Sequence, residues 1–357
     1  MNLLSTGLVV VLATLAVGVP LLAAWWWSGR RRLPEGDRRR RALRAAGVFG
    51  SCVAAQVVAV FLVFVVVNDQ YQFYASFKDL IGATGGTSPI LVNQAADAHG
   101  GQLESITIHG RASHTTERAL VWLPPQYAEQ RYRHHRFPVV EFLPGQPAYP
   151  GGMVSRFDLG GAAAAAIAHG AKPFVLVVPP IMVRPPEDTE CTNVPHGPQA
   201  LSWLTKDVPA AITSQLRVKH PGRHWSMIGW STGGFCAAKV LLTDPHDYAS
   251  AAVLGGYFKP ITRGTVPHLF GGNPTLRRHN SPRWLYLHHG LRHDHLLLIA
   301  GRQDAETWPE TSRMLRTTQG DRRVSFVAFP AGGHNVGDYA AYLPVVFRWL
   351  TRTGVLA

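Results

Sequence analysis

The sequence predicts an α/β domain, a mostly parallel sheet covered by helices on both faces, preceded by two transmembrane helices. Three observations carry this. From about residue 102 onward, short β-branched and aliphatic runs alternate with helix-like runs, the pattern of parallel strands joined by crossover helices. Around Gly229-Trp230-Ser231-Thr232-Gly233-Gly234 an apolar strand, a sharp turn and a helix follow one another. Two long stretches near the N-terminus, 3–27 and 45–67, carry no charge.

Each uncharged stretch is long enough to cross a bilayer core as a helix. Between them lie Arg30, Arg31, Arg32, Arg38, Arg39, Arg40, Arg41 and Arg44, opposed only by Glu35 and Asp37. A basic loop flanked by two spans is expected on the cytoplasmic side. The remainder of the chain is then extracytoplasmic, and the protein a two-helix, multi-pass protein of the cell membrane. Trp25, Trp26 and Trp27 are expected at the inner interface, and Tyr71, Phe73, Tyr74 and Phe77 at the outer one. A cleaved signal peptide fits poorly, because no basic residue precedes the first apolar run and a second span follows. Much of the net charge of +13 over 357 residues is local to this loop, and apolar segments flank it on both sides, so nucleic acid is not an expected partner; membrane is. Three domains follow: 1–67 as membrane anchor, 68–101 as juxtamembrane segment and linker, and 102–357 as catalytic domain. In the linker, Phe73, Phe77, Leu80 and Ile81 fall at helical spacing, which suits a helix on the membrane surface or one packed on the soluble domain.

Within 102–357, strands are expected at 103–108 and 119–123, the second stopped by Pro124-Pro125. A buried strand at 138–143 runs into Pro144-Gly145-Gln146-Pro147. A helix at 162–168, a strand at 174–178 and an amphipathic helix at 199–218 come next. Strand 225–228 enters the Ser231 turn, and helix 235–242 leaves it. Strands at 251–254, 296–300 and 324–329, with helices at 306–315 and 339–350, complete the alternation.

The Ser231 turn has the form of a nucleophile elbow. Gly229 and Gly233, two residues on either side, let strand and helix approach, and the turn exposes Oγ. The backbone N–H of Thr232 at the helix N-terminus is placed to bind an oxyanion. An acid and a base must follow. Strand 296–300 runs into Gly301-Arg302-Gln303-Asp304, and a carboxylate just past a strand's C-terminal end sits on the active-site edge of such a sheet. Asp304 is the expected acid, with Glu306 and Asp294 as alternatives. Strand 324–329 runs into Pro330-Ala331-Gly332-Gly333-His334, a glycine-containing, mobile loop able to present an imidazole; His334 is the expected base. The order Ser231, Asp304, His334 is that of the α/β-hydrolase fold. Gln146, after strand 138–143, is the expected second oxyanion donor through its backbone N–H. His288, His289, His293 and His295 lack the i, i+4 pair with an intervening Glu that zinc hydrolases use, so no metal and no cofactor is expected.

From about Gln102 onward the chain resembles the esterase D-like "putative esterase" family, which contains mycolyltransferases, S-formylglutathione hydrolases and ferulic acid esterases. The matching features are Val121-Trp122-Leu123-Pro124-Pro125, Leu143-Pro144-Gly145, Gly229-Trp230-Ser231-Thr232-Gly233-Gly234 and Gly332-Gly333-His334-Asn335. It looks most like the membrane-anchored actinobacterial members, on Asp69 to Gly82, Asp188-Thr189-Glu190-Cys191 and Asn280-Ser281-Pro282. The resemblance implies a serine acyl hydrolase or acyltransferase and leaves the substrate open.

Three cysteines remain. Cys52 lies in the second apolar stretch. Cys191 and Cys236 can bridge if the domain faces an oxidising compartment, or stay as two buried thiols. The insertion between strands 251–254 and 296–300 is expected to cap the site. Its Tyr257, Phe258, Phe270, Trp284 and Tyr286 serve either as pocket walls or as a small core of the cap. The expected function is therefore that of an extracytoplasmic esterase or acyltransferase acting on a lipid or glycolipid acyl ester. The alternative is a non-catalytic envelope protein that binds glycan or lipid on the same fold.

Overall fold

The computed structural model describes residues 6–28, 38–71, 99–185, 187–243, 246–261 and 269–357. The chain divides into two compact units, Met1–Ala83 and Thr84–Ala357. In the first, helices α1 (Thr6–Ser28) and α2 (Arg38–Tyr71) pack together. They contain uncharged stretches of 19 residues, Gly7–Trp25, and 22 residues, Ala46–Val67. Leu12 and Val65 are buried between them, whereas Leu21, Leu22, Trp25, Val60 and Val63 are exposed. The helix α2 begins inside the arginine cluster, at Arg38. Residues 29–37, and the juxtamembrane segment with Phe73, Tyr74, Phe77, Leu80 and Ile81, lie outside the described residues.

The second unit is built on an eight-stranded sheet: β1 (Gln102–His109), β2 (Thr116–Leu123), β3 (Val139–Leu143), β4 (Val175–Val178), β5 (Gly222–Trp230), β6 (Tyr248–Leu254), β7 (His295–Gly301) and β8 (Val324–Phe329). The spatial order is β1-β2-β4-β3-β5-β6-β7-β8. β1 and β2 form an antiparallel hairpin, β2 meets β4 antiparallel, and every other pairing is parallel. The central strands are buried on both faces, which explains their largely apolar composition. One face packs on Phe235 and Trp203, the other on Phe157, Tyr339 and Phe347. This is the α/β-hydrolase fold.

Several helices differ from the sequence expectation, each for a local reason. The helix expected at 199–218 runs from Ala200–Ser202 through a π-helical stretch, Trp203–Asp207, into Val208–Gln215. Pro209 has no N–H to bond the preceding turn, and its ring crowds that turn's carbonyl, so the backbone widens there. It ends early because Leu216 is extended and Val218 bridges to Phe137. The closing helix is two, Val336–Ala340 and Leu343–Arg352. Pro344 starts the second and cannot continue the first. Helix Trp308–Thr317 begins later than expected, leaving residues 304–307 as a turn that the site uses. Helix Leu159–Ala168 is preceded by a further helix, Pro150–Arg156. The insertion also contains two short helices, Pro274–His279 and Pro282–His289, capped by Asn273 and Ser281.

Candidate active site

The elbow joins β5 to helix Thr232–Thr243. Ser231 has φ +56°, a left-handed conformation that disfavours a side chain and costs about 1–3 kcal/mol. Its N–H donates to the Leu254 carbonyl at 2.9 Å, fixing the turn to the neighbouring strand. The flanking glycines are required by close approach. A Cβ on Gly229 would stand 2.0 Å from the Gly233 carbonyl oxygen, and one on Gly233 the same distance from that of Leu143. These neighbours are backbone and cannot swing aside.

Three expected site residues, from the ends of β5, β7 and β8, meet in one hydrogen-bonded chain. His334 Nε2 lies 2.8 Å from Ser231 Oγ, and His334 Nδ1 lies 2.8 Å from Asp304 Oδ2. Asp304 is fully buried. Burial alone would raise its pKa. The hydrogen bond and charge of His334, then the bonds from Thr307 and Tyr339, outweigh burial and hold the carboxyl well below the usual carboxylate range. An ionised carboxylate only accepts, so the His334 proton sits on Nδ1 and Nε2 is left to accept from Ser231.

Residues not singled out from the sequence hold this chain in place. Thr307 Oγ1 and Tyr339 Oη each donate to Asp304 Oδ2 at 2.6 Å, and the amides of Glu306 and Thr307 donate to Oδ1. Trp230 stacks on the imidazole, 5.4 Å between centroids and 15° between planes. The loop around His334 is tied down rather than loose. Asp338 Oδ2 accepts from Gly333 N at 2.9 Å and from Asn335 Nδ2 at 2.6 Å, and Asn335 caps the next helix. Of the alternative acids, Glu306 is largely exposed and lies 4.0 Å from His334 Nε2, the ring nitrogen facing Ser231. Asp294 precedes β7, at the opposite end of the strand from the site.

A cleft of about 230 Å³ opens over Ser231 and is lined by Gln146, Asp188, Glu190, Tyr257, Glu306 and His334, among others. Thr232 also lines it. Cys191 and Cys236 are disulfide-bonded, with Cα atoms 5.7 Å apart. Of the five insertion aromatics, only Tyr257 lines this cleft. Phe258 is buried in the main core, Phe270 packs in a small cluster with Val194 and Leu269, and Trp284 and Tyr286 pack at the core's edge.

A buried acid, an imidazole and a serine on an elbow meet at the C-terminal edge of a parallel sheet, the arrangement that defines the α/β-hydrolase class of fold. The family model described as "Putative esterase" matches residues 113–350, and the chain belongs to that family. A relative with an assigned sequence but no assigned role, an uncharacterised protein of Corynebacterium glutamicum, is 25% identical over 260 residues. The match covers 67% of this chain and 58% of that protein, so the chain spans little more than half of its length. Among solved structures, an S-formylglutathione hydrolase from Agrobacterium tumefaciens has a TM-score of 0.61 at 17% identity, covering 73% of this chain and 97% of that one. A ferulic acid esterase has a TM-score of 0.59 at 16% identity, with 71% and 98% covered. A fluorophosphonate-binding serine hydrolase of Staphylococcus aureus has a TM-score of 0.60 at 14% identity, with 70% and 98% covered. At these identities the likeness is one of fold.

Proposed function

We propose that the chain is a membrane-anchored serine esterase or acyltransferase in which Ser231 is the nucleophile. The observation that carries this reading is the unbroken chain from Asp304 through His334 to Ser231, at 2.8 Å for each link. Ser231 Oγ attacks the acyl carbonyl while His334 Nε2 takes its proton. His334 then returns the proton to the departing alcohol oxygen, leaving an acyl-serine. Asp304 stays ionised and stabilises the imidazolium. The amides of Thr232 and Gln146 bind the oxyanion. Water or a second hydroxyl, activated by the same imidazole, releases the acyl group; the first gives hydrolysis, the second transfer.

Two uncharged helices of spanning length and the arginines between them support an anchor with a cytoplasmic loop. The Cys191–Cys236 bond supports an oxidising, extracytoplasmic location for the catalytic unit. An acyl ester of a lipid or glycolipid fits that location.

The test is turnover of p-nitrophenyl acetate and labelling by a fluorophosphonate probe, using the full chain in detergent. Ser231→Ala is expected to lose labelling and at least about 10³-fold in kcat. Gln146→Ala keeps its backbone amide and is expected to stay within about tenfold of the parent. Equal turnover by the parent and Ser231→Ala would remove Ser231 from the mechanism.

A further inference from the structure

Beside the Ser231 cleft stands a carboxyl that the acyl-transfer chemistry does not use. Glu190 is 2% exposed, yet it lines the cleft together with Ser231 and Thr232. Burial is costly for a carboxyl, and the local backbone is costly as well. Glu190 and Cys191 are consecutive non-glycine residues with φ +47° and +48°, each about 1–2 kcal/mol above a right-handed conformation.

This turn is fastened from several sides. Cys191 is bonded to Cys236 in the elbow helix. The buried ammonium of Lys239, from the same helix, donates to the carbonyls of Glu190 and Cys191 at 3.2 and 2.8 Å and to Thr192 Oγ1 at 2.8 Å. The Glu190 side chain is fixed as firmly. Oε1 accepts from Tyr257 Oη at 2.9 Å, and the Ile261 amide is shared between Oε1 and Oε2 at 3.0 Å each. Tyr257 Oη also lies 3.3 Å from Thr232 Oγ1, on the residue that follows the nucleophile.

The inventory of bonds points to a ligand. Ionised, a carboxyl offers about four lone-pair sites; protonated, it offers one O–H donor and the remaining acceptor sites. Among the described residues two donors serve this one, and Oε2 receives only a share of one amide. Glu190 is also one of the residues that line the cleft over Ser231. We propose that Glu190 is a specificity-determining residue of the Ser231 cleft, hydrogen-bonding a hydroxyl group carried by the ester substrate.

A hydroxyl is the complement because it both donates and accepts. Burial, then the neighbouring Asp188, push the Glu190 carboxyl up to about 8. It therefore presents a proton at neutral pH and a lone pair at higher pH, and a hydroxyl suits both. An anionic substrate group meets Asp188, Glu190 and Glu306 in one small cleft and is disfavoured. The hydroxyl can sit on the alcohol part of the ester or on the acyl part. The inference rests on Ser231 being the nucleophile.

The experiment compares kcat/KM for matched esters, again with the full chain in detergent and with acid release as the signal. One arm sets glycerol monoacetate against propyl acetate, placing hydroxyls on the alcohol. The other sets methyl 3-hydroxybutyrate against methyl butyrate, placing one on the acyl group. The parent is expected to favour the hydroxylated ester about tenfold or more in one arm, through KM, and that arm identifies the side. Glu190→Ala is expected to bring the ratio close to one. Tyr257→Phe keeps the ring stacked on Phe235 and removes only the hydroxyl that orients Glu190; it is expected to lower the same ratio about threefold or more.

A parent ratio near one in both arms overturns the proposal. So does an equal fall for both esters in Glu190→Ala, or an unmoved ratio in Tyr257→Phe. Ser231→Ala keeps the two readings apart. Residual full turnover there removes the nucleophile, whereas a dead Ser231→Ala with no hydroxyl preference in the parent removes only the role of Glu190.

Discussion

Asp304 and Glu141 are both buried, yet their pKa values move in opposite directions, and each direction follows from its donors. Asp304 collects five hydrogen bonds, from His334, Thr307 Oγ1, Tyr339 and two amides. Its pKa falls, so the stability it contributes is present above the unfolded value near 4 and is lost as pH drops further. Among the described residues Glu141, on β3, has one donor, Tyr248 Oη at 3.2 Å, and its Oε1 has no partner. Burial, opposed only by that bond, pushes it up to about 8. Folded Glu141 keeps a proton that the unfolded chain releases, so stability declines as pH rises from about 4.5 towards 8. Glu141→Gln is therefore expected to melt at least about 2 °C above the parent at pH 8, with the gap closing at pH 5. Thermal unfolding at the two pH values checks this; a gap independent of pH would contradict it. Ser231, Asp304 and His334 were readable in the sequence because each follows a strand within a few residues and carries a local signature. Thr307, Tyr339 and Glu190 were not. Threonine and tyrosine at a helix start look like ordinary packing residues, and Glu190 acquires its role only through partners 49 to 71 positions away.

At the scale of elements, the turn at 188–193 and the elbow helix behave as one piece, because the disulfide and Lys239 join them. The bridge closes a loop with a sequence separation of 45 residues. Replacing both cysteines by alanine is expected to lower unfolding stability by about 2–4 kcal/mol. Urea unfolding followed by tryptophan fluorescence measures this, and an unchanged midpoint would show that Lys239 alone secures the turn. The strands of the catalytic unit were legible to within a few residues, since apolar runs of that length have few other uses. Helix boundaries were less so. Pro209 and Pro344 reshape helices whose apolar spacing reads as continuous. The two insertion helices did carry readable starts, Asn273-Pro274 and Ser281-Pro282, masked by the surrounding glycines and arginines.

For the whole molecule, orientation is the property to measure. The proposed topology leaves the catalytic unit outside the cytoplasm. Protease added to intact spheroplasts is expected to digest that unit while sparing a cytoplasmic marker. Protection until lysis would reverse the orientation and leave the disulfide without an oxidising compartment. In the sequence, charge-free runs give way to strand–helix alternation. What covers the cleft is not legible there, because the insertion aromatics have the same composition whether they line a pocket or pack among themselves.

The spacing of the site has a consequence for biosynthesis. Ser231 precedes His334 by 103 residues, and both bridging cysteines, Cys191 and Cys236, also precede β8. On a growing chain the elbow and its covalent brace can form while the strand that delivers the imidazole has yet to be synthesised. Until then Ser231 is an ordinary alcohol. On the proposed mechanism the nascent protein is chemically silent towards any ester it meets, and reactivity comes only once β8 has joined the sheet.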